Sequence, residues 1–148
     1  FSLYTAFYIR ENYSLNFFLF IVIICIFTDI GGYVFGKTFK GPKLTSVSPN
    51  KTYSGVIGSF LFSLISGILF FKYVGNVFQT NSDLLTLIIV IFFISLISQI
   101  GDLIISYFKR KAKLKDTGNI LPGHGGLLDR IDGLIFVFPL TYIFQLIK

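Results

Sequence analysis

The chain has 148 residues, of which 53% are hydrophobic, 18% aromatic and only 14% charged. That balance excludes an ordinary soluble domain and indicates an all-α polytopic membrane protein. The net charge of +6 sits mostly in two intervals between apolar segments, so it is a local property and no nucleic-acid partner is expected.

Residues 1–9 are apolar but too short to span, and the chain begins with Phe1 rather than Met. The reading is therefore the C-terminal part of a longer polytopic protein, with no signal-peptide pattern. The first expected span covers about residues 15–35 and holds the run FFLFIVIICIF. Cys25 is the single cysteine, so no disulfide forms within the chain. One carboxylate, Asp29, interrupts this span and is followed by Gly31, Gly32, Tyr33 and Gly36. A carboxylate inside a membrane helix costs several kcal/mol unless it is paired, hydrated or metal-bound. The glycines allow close approach of another backbone or of a ligand.

Residues 36–53 form a loop with four lysines and no acid, broken by Gly41-Pro42 and Ser48-Pro49. The second span, about 54–74, starts directly after Lys51-Thr52, which sets a helix N-terminus beside a lysine and suits phosphate. The hairpin tip from Gly75 to Asp83 carries one negative charge and belongs on the opposite side. The third span, about 84–108, again contains one carboxylate after a glycine, Asp102. Asp102, Ser106 and Lys109 share one helix face by their spacing. A fourth span, about 128–147, includes Pro139, which favours a kink.

Four transmembrane helices with two basic cytoplasmic loops, 36–53 and 109–130, follow from the positive-inside rule. Asp29 lies seven residues before Gly36, and Asp102 seven before Lys109. At 1.5 Å per residue both lie about 10 Å inside one membrane boundary. Asp129 and Asp132 open the fourth span at that boundary, so carboxylates from three helices reach one depth. Oxygen-only ligands favour Mg²⁺ or another hard cation, with a second cation as an option. One histidine and one distant cysteine do not make a zinc site. A metal beside phosphate-binding groups implies phosphoryl or nucleotidyl transfer at a membrane surface.

The interval from Ser106 through Asp132 carries Ser106, Lys109-Arg110, Lys115-Asp116-Thr117-Gly118, Pro122-Gly123-His124-Gly125-Gly126 and Asp129-Arg130-Ile131-Asp132. In order and spacing it closely resembles the signature of phosphatidate cytidylyltransferases, also called CDP-diacylglycerol synthases. Asp29 through Gly36, with Tyr33, and Ser48-Pro49-Asn50-Lys51-Thr52 through Gly55 look like two further blocks of that family. Three positions depart from it. Ile105 stands where the family often has Glu, Tyr53-Ser54 where it usually has Trp followed by Glu or Gln, and Gly32 in place of Ala.

The resemblance implies that residues 1–148 form a single membrane-embedded catalytic domain. The reaction implied is CTP plus phosphatidate giving CDP-diacylglycerol and pyrophosphate, with membrane lipid as a partner and a homodimer among the allowed assemblies. The location implied is a bacterial-type inner membrane with the site facing the cytoplasm. It implies Asp102 and Asp129 as metal ligands, with Asp132 and Asp29 as further candidates, and Mg²⁺ as the cofactor. Lys51, Lys109 and Arg110 would bind the triphosphate or the lipid phosphate, with Ser48, Thr52 and His124 as further phosphate contacts and Ser106 supporting either substrate. A CTP-dependent lipid kinase of the polyprenol or phytol type is the rival enzyme. The Asp-x-x-Asp-Gly at 129–133 is also similar to CDP-alcohol phosphotransferases, but their further aspartates have no counterpart from Leu134 onward. A cation-coupled transporter is the rival of another class, disfavoured because the carboxylates cluster at one face instead of lining a route.

Overall fold

The computed structural model describes residues 1–44, 51–75, 77, 83–112 and 128–146, and the described residues form five helices with no strand. They are α1 (Ser2–Asn12), α2 (Leu15–Phe39), α3 (Tyr53–Val74), α4 (Leu84–Lys111) and α5 (Leu128–Leu146). Helix α2 starts where the Ser14 hydroxyl accepts the Phe17 amide at 3.0 Å, an N-cap that satisfies an otherwise orphaned donor. It ends at Lys40, whose φ of 43° is left-handed, just before Gly41-Pro42. Helix α3 is capped in the same way, with Thr52 Oγ1 accepting the Gly55 amide at 3.2 Å. The last turn of α4 carries Lys109, Arg110 and Lys111, cations suited to the negative end of the helix dipole.

Among the described residues, α2, α3 and α4 are long and apolar enough to cross a membrane, and Ile131–Phe144 of α5 forms a shorter apolar stretch. Helix α2 runs four residues past its expected end and α4 three residues past its own. In both cases lysine-bearing turns remain helical beyond the apolar run. Pro139 lies within a continuous helix. It leaves the Ile135 carbonyl without its usual amide partner, and two residues past the proline the Thr141 hydroxyl lies 2.9 Å from the Val137 and Phe138 carbonyls. Helix α1 has no counterpart in the expected spans. It packs on α5, with the rings of Tyr8 and Tyr142 edge-on at 5.0 Å and Thr5 and Ile9 fully buried.

The packing is the reverse of a soluble bundle. The buried positions of α3 are Gly55, Gly58, Ser59, Ser63, Ser66 and Gly67, whereas Ile57, Leu61, Ile65, Leu69 and Tyr73 point outward. Lipid tails are as apolar as leucine, so helices in a bilayer associate through small residues that let backbones approach. Gly31 and Gly58 oppose each other across α2 and α3, and a methyl group on Gly55 would stand 2.8 Å from the Gly32 carbonyl oxygen. Gly67 makes room for Ile91 between α3 and α4, and Gly101 for the Phe136 ring between α4 and α5.

Larger side chains close the centre of the bundle, with Phe20, Ile21, Ile24, Leu87, Ile91, Ile94 and Val137 buried together. Hydroxyls tie the helices across this core. Ser59 Oγ donates to the Thr28 carbonyl at 2.8 Å, and Thr28 Oγ1 meets Ser95 Oγ at 3.0 Å. Such interhelical bonds average about 0.6 kcal/mol in membranes, so they set the register of α2, α3 and α4 more than they stabilise the bundle.

Candidate active site

The close approach of α2 and α3 brings the segment before α3 over the end of the bundle. That segment is held by backbone bonds. Leu44 N donates to the Lys51 carbonyl at 2.8 Å, and Tyr53 N to the Pro42 carbonyl at 3.1 Å. Lys43 and Thr52 form an antiparallel bridge. Lys51 is thereby fixed at its backbone while its side chain reaches across to α4, where Nζ pairs with Asp102 Oδ2. The two side chains are 26% and 28% exposed, so the pair lies at the mouth of the bundle and not in a dry core.

Asp102 has a second partner on its own helix. The Ser106 hydroxyl donates to Asp102 Oδ1 at 3.4 Å, as expected of two residues four apart on one helix face. Asp132 on α5 is 6% exposed. Its Oδ1 accepts the amide of Gly133 at 2.9 Å, its Oδ2 lies 4.0 Å from Lys109 Nζ, and its carboxylate comes within hydrogen-bonding reach of Asp102. Asp29 is exposed at the periphery of this group, within electrostatic range of both Asp102 and Lys51. Three carboxylates and two ammonium groups, from α2, the turn before α3, α4 and α5, thus meet at one end of the bundle.

This arrangement brings together Asp29, Lys51, Asp102, Ser106, Lys109 and Asp132. Thr52 holds the start of α3, and its hydroxyl is committed to the Gly55 amide and to Ser54 Oγ at 3.0 Å, which makes it a positioning residue in this state. Arg110 is exposed in the last turn of α4. Ser48, His124 and the side chain of Asp129 lie outside the described residues.

Two contributors were not singled out from the sequence. Gly133 lets α5 approach α4 next to Asp132, because any Cβ there would collide with Ser98 Oγ. Ser98 is fully buried, one helical turn before Asp102. The polar stripe Ser95, Gln99, Asp102 and Ser106 on an otherwise apolar helix was the available signal, since those positions recur at helical spacing. An apolar cleft of about 450 Å³ lies elsewhere. It is an apolar groove between α2 and α3 lined by Ile23, Phe27, Phe62 and Leu69, and it contains none of the charged groups.

The donor set fits a hard divalent cation. Asp102 and Asp132 offer carboxylate oxygens at close range, and Mg²⁺ commonly takes one or two carboxylates plus substrate phosphates and waters. Among the described residues no three His, Cys, Asp or Glu side chains form a cage that would hold an ion unaided. Cys25 is buried within α2.

Apolar helices with this charged cluster at one end define an integral membrane protein with a polar site set into its span. A family model described as the cytidylyltransferase family matches residues 1–147, and the chain belongs to that family. It is 44% identical over 138 residues to a phosphatidate cytidylyltransferase of Staphylococcus haemolyticus, covering 93% of this chain and 52% of that protein. It is 43% identical over 138 residues to a phosphatidate cytidylyltransferase of Staphylococcus aureus (strain COL), with the same coverage of 93% and 52%. A phosphatidate cytidylyltransferase of Staphylococcus saprophyticus is 41% identical over 137 residues, 92% of this chain and 51% of that protein. The chain spans about half the length of the curated relatives it matches.

Proposed function

We propose that this chain carries the site at which a cytidylyl group passes from CTP to phosphatidate, giving CDP-diacylglycerol and pyrophosphate. The observation that carries the reading is the meeting of Asp102 and Asp132 with Lys51 and Lys109 at one end of apolar helices, in a chain that belongs to the cytidylyltransferase family.

In this reaction a phosphate oxygen of phosphatidate attacks the α-phosphorus of CTP. The bond from that phosphorus to the bridging oxygen of the β-phosphate breaks, and pyrophosphate leaves with the electron pair. The nucleophile is already an anion, so no strong general base is required. The chain's task is positioning and charge neutralisation. Lys51 and Lys109 enter the site from different elements and hold phosphate oxygens of the two substrates, while Arg110, Ser48 and His124 extend the phosphate contacts. Ser106 orients Asp102, and Gly133 orients Asp132.

Asp102, Asp129 and Asp132, with Asp29 at the edge, would hold Mg²⁺, and the ion would neutralise charge on the phosphates. The site faces the cytoplasm of a bacterial-type inner membrane, because the lysine-rich turns flank it. The cluster's depth lets a lipid phosphate enter from the bilayer while the nucleotide enters from water.

The test is incubation of the purified protein with radiolabelled CTP, phosphatidate and Mg²⁺. The expected products are labelled CDP-diacylglycerol and pyrophosphate in equal amounts. Release of CDP with phosphorylation of a lipid alcohol would replace this reading with that of a CTP-dependent lipid kinase. Cation flux in vesicles without nucleotide turnover would replace it with a transporter.

A further inference from the structure

The partner that Lys51 has chosen is an unusual one for a phosphate-binding lysine. Its ammonium is on Asp102, the carboxylate best placed to hold a cation. One lone pair of a carboxylate oxygen does not serve an ammonium and a directly bound metal ion together, and the two cations repel each other at contact distance. The ammonium and an incoming ion therefore compete for Asp102 Oδ2. The backbone of Lys51 is pinned by the Leu44 amide and by the Lys43–Thr52 bridge, so exchange between them needs only rotation of a flexible side chain. Both partners are about one-quarter exposed, which leaves the pair open to water and to an incoming ion. Among the described residues, Lys51 lies on Asp102 and within electrostatic range of Asp29, and Lys109 lies beside Asp132.

We propose that Lys51 is an exchangeable occupant of the cation position on Asp102. Entry of a divalent ion releases the ammonium, and the released ammonium receives the phosphates of the nucleotide. Metal and nucleotide then load as a coupled pair, and before loading Asp102 keeps an ammonium as its partner. The inference rests on the cytidylyl-transfer reading and adds to it the order in which the charges change partners. Coupling of this kind is reciprocal, so whatever the metal does for nucleotide affinity the nucleotide does for metal affinity.

Two measurements test it on the detergent-solubilised protein, and neither reads turnover. The first is titration with Mn²⁺ in the absence of nucleotide, following the free ion by electron paramagnetic resonance. Lys51→Gln removes the competitor, so it is expected to bind Mn²⁺ more tightly than the unsubstituted protein, on the order of tenfold. Lys37→Gln, which alters a lysine beside Tyr33, is expected to leave binding unchanged. Equal or weaker binding by Lys51→Gln, or no binding by either protein, would overturn the proposal.

The second uses the unsubstituted protein and so does not depend on how a variant folds. Acylation of Lys51, quantified by mass spectrometry, should rise several-fold when Mg²⁺ is added and fall again when CTP follows. Labelling that ignores Mg²⁺ refutes the release of Lys51, and labelling that ignores CTP refutes its transfer to the nucleotide. Exchange of Lys51 without CDP-diacylglycerol formation would reject the proposed reaction alone. CDP-diacylglycerol formation with a static Lys51 would reject the exchange alone.

Discussion

Adding one methyl group at Gly58 is expected to slow turnover about 10²-fold without removing any charged side chain. A Cβ at this position falls against the Phe35 side chain and stands 2.7 Å from the Gly31 carbonyl oxygen. Ordinary non-bonded separation is about 3.5 Å, so the shortfall is roughly 0.8 Å. Both obstructions belong to α2, and one is backbone, so relief requires the two helices to part. Overpacking of this kind costs about 1–3 kcal/mol, which a membrane bundle survives. The geometric consequence is larger, because Lys51 sits two residues before α3 and reaches α4 from there. A displacement near 1 Å at the reacting groups costs on the order of 10²-fold in rate. The assay is CTP-dependent pyrophosphate release with phosphatidate for Gly58→Ala, beside Ile57→Ala on the outward face of the same helix. Ile57→Ala should keep near-normal activity. A normal rate in Gly58→Ala would show that the α2–α3 approach does not position the site.

Other expectations follow from the same geometry. Asp102→Asn and Asp132→Asn keep size but remove charge, and each should lower the rate by on the order of 10²–10³-fold with the protein still in the membrane, as membrane-fraction assays at limiting Mg²⁺ would show. Lys51→Arg and Lys109→Arg should lose far more activity than Lys37→Ala, because a planar fork does not replace a compact point charge at defined phosphate oxygens; equal rates at saturating CTP and phosphatidate would reduce these lysines to surface charge. Thr52→Ala removes the cap of α3 and should cost about 1 kcal/mol in thermal unfolding, with Thr52→Ser retaining most of it. In a Cys25→Ser background, single cysteines at positions 43 and 113 should label from the cytoplasmic side and one at position 81 from the other; labelling of 43 and 113 from opposite sides would contradict the convergence of the carboxylates.

Much of the architecture was legible in the chain alone, because a bilayer imposes long apolar helices and makes each interrupting charge conspicuous. The three longest helices, the break at Gly41-Pro42 and the sharing of a face by Asp102 and Ser106 all rest on local rules of length, breaking and spacing. The family was legible too, since its signature is a continuous run of residues from Ser106 to Asp132. What local rules do not contain is which charge finds which partner. Lys51 and Asp102 are far apart in sequence, and their pairing depends on how closely the glycines of α2 and α3 let those helices approach. The pairing of Lys109 with Asp132, instead of with Asp102 on its own helix, depends likewise on α5 sitting close to α4 at Gly133 and Ser98. Helix α1 was missed for a related reason: its residues form no span, and only its docking on Tyr142 of α5 gives it a place. Composition and periodicity determined that charged groups interrupt long apolar helices, and only the tertiary contacts of small residues decided which of them meet.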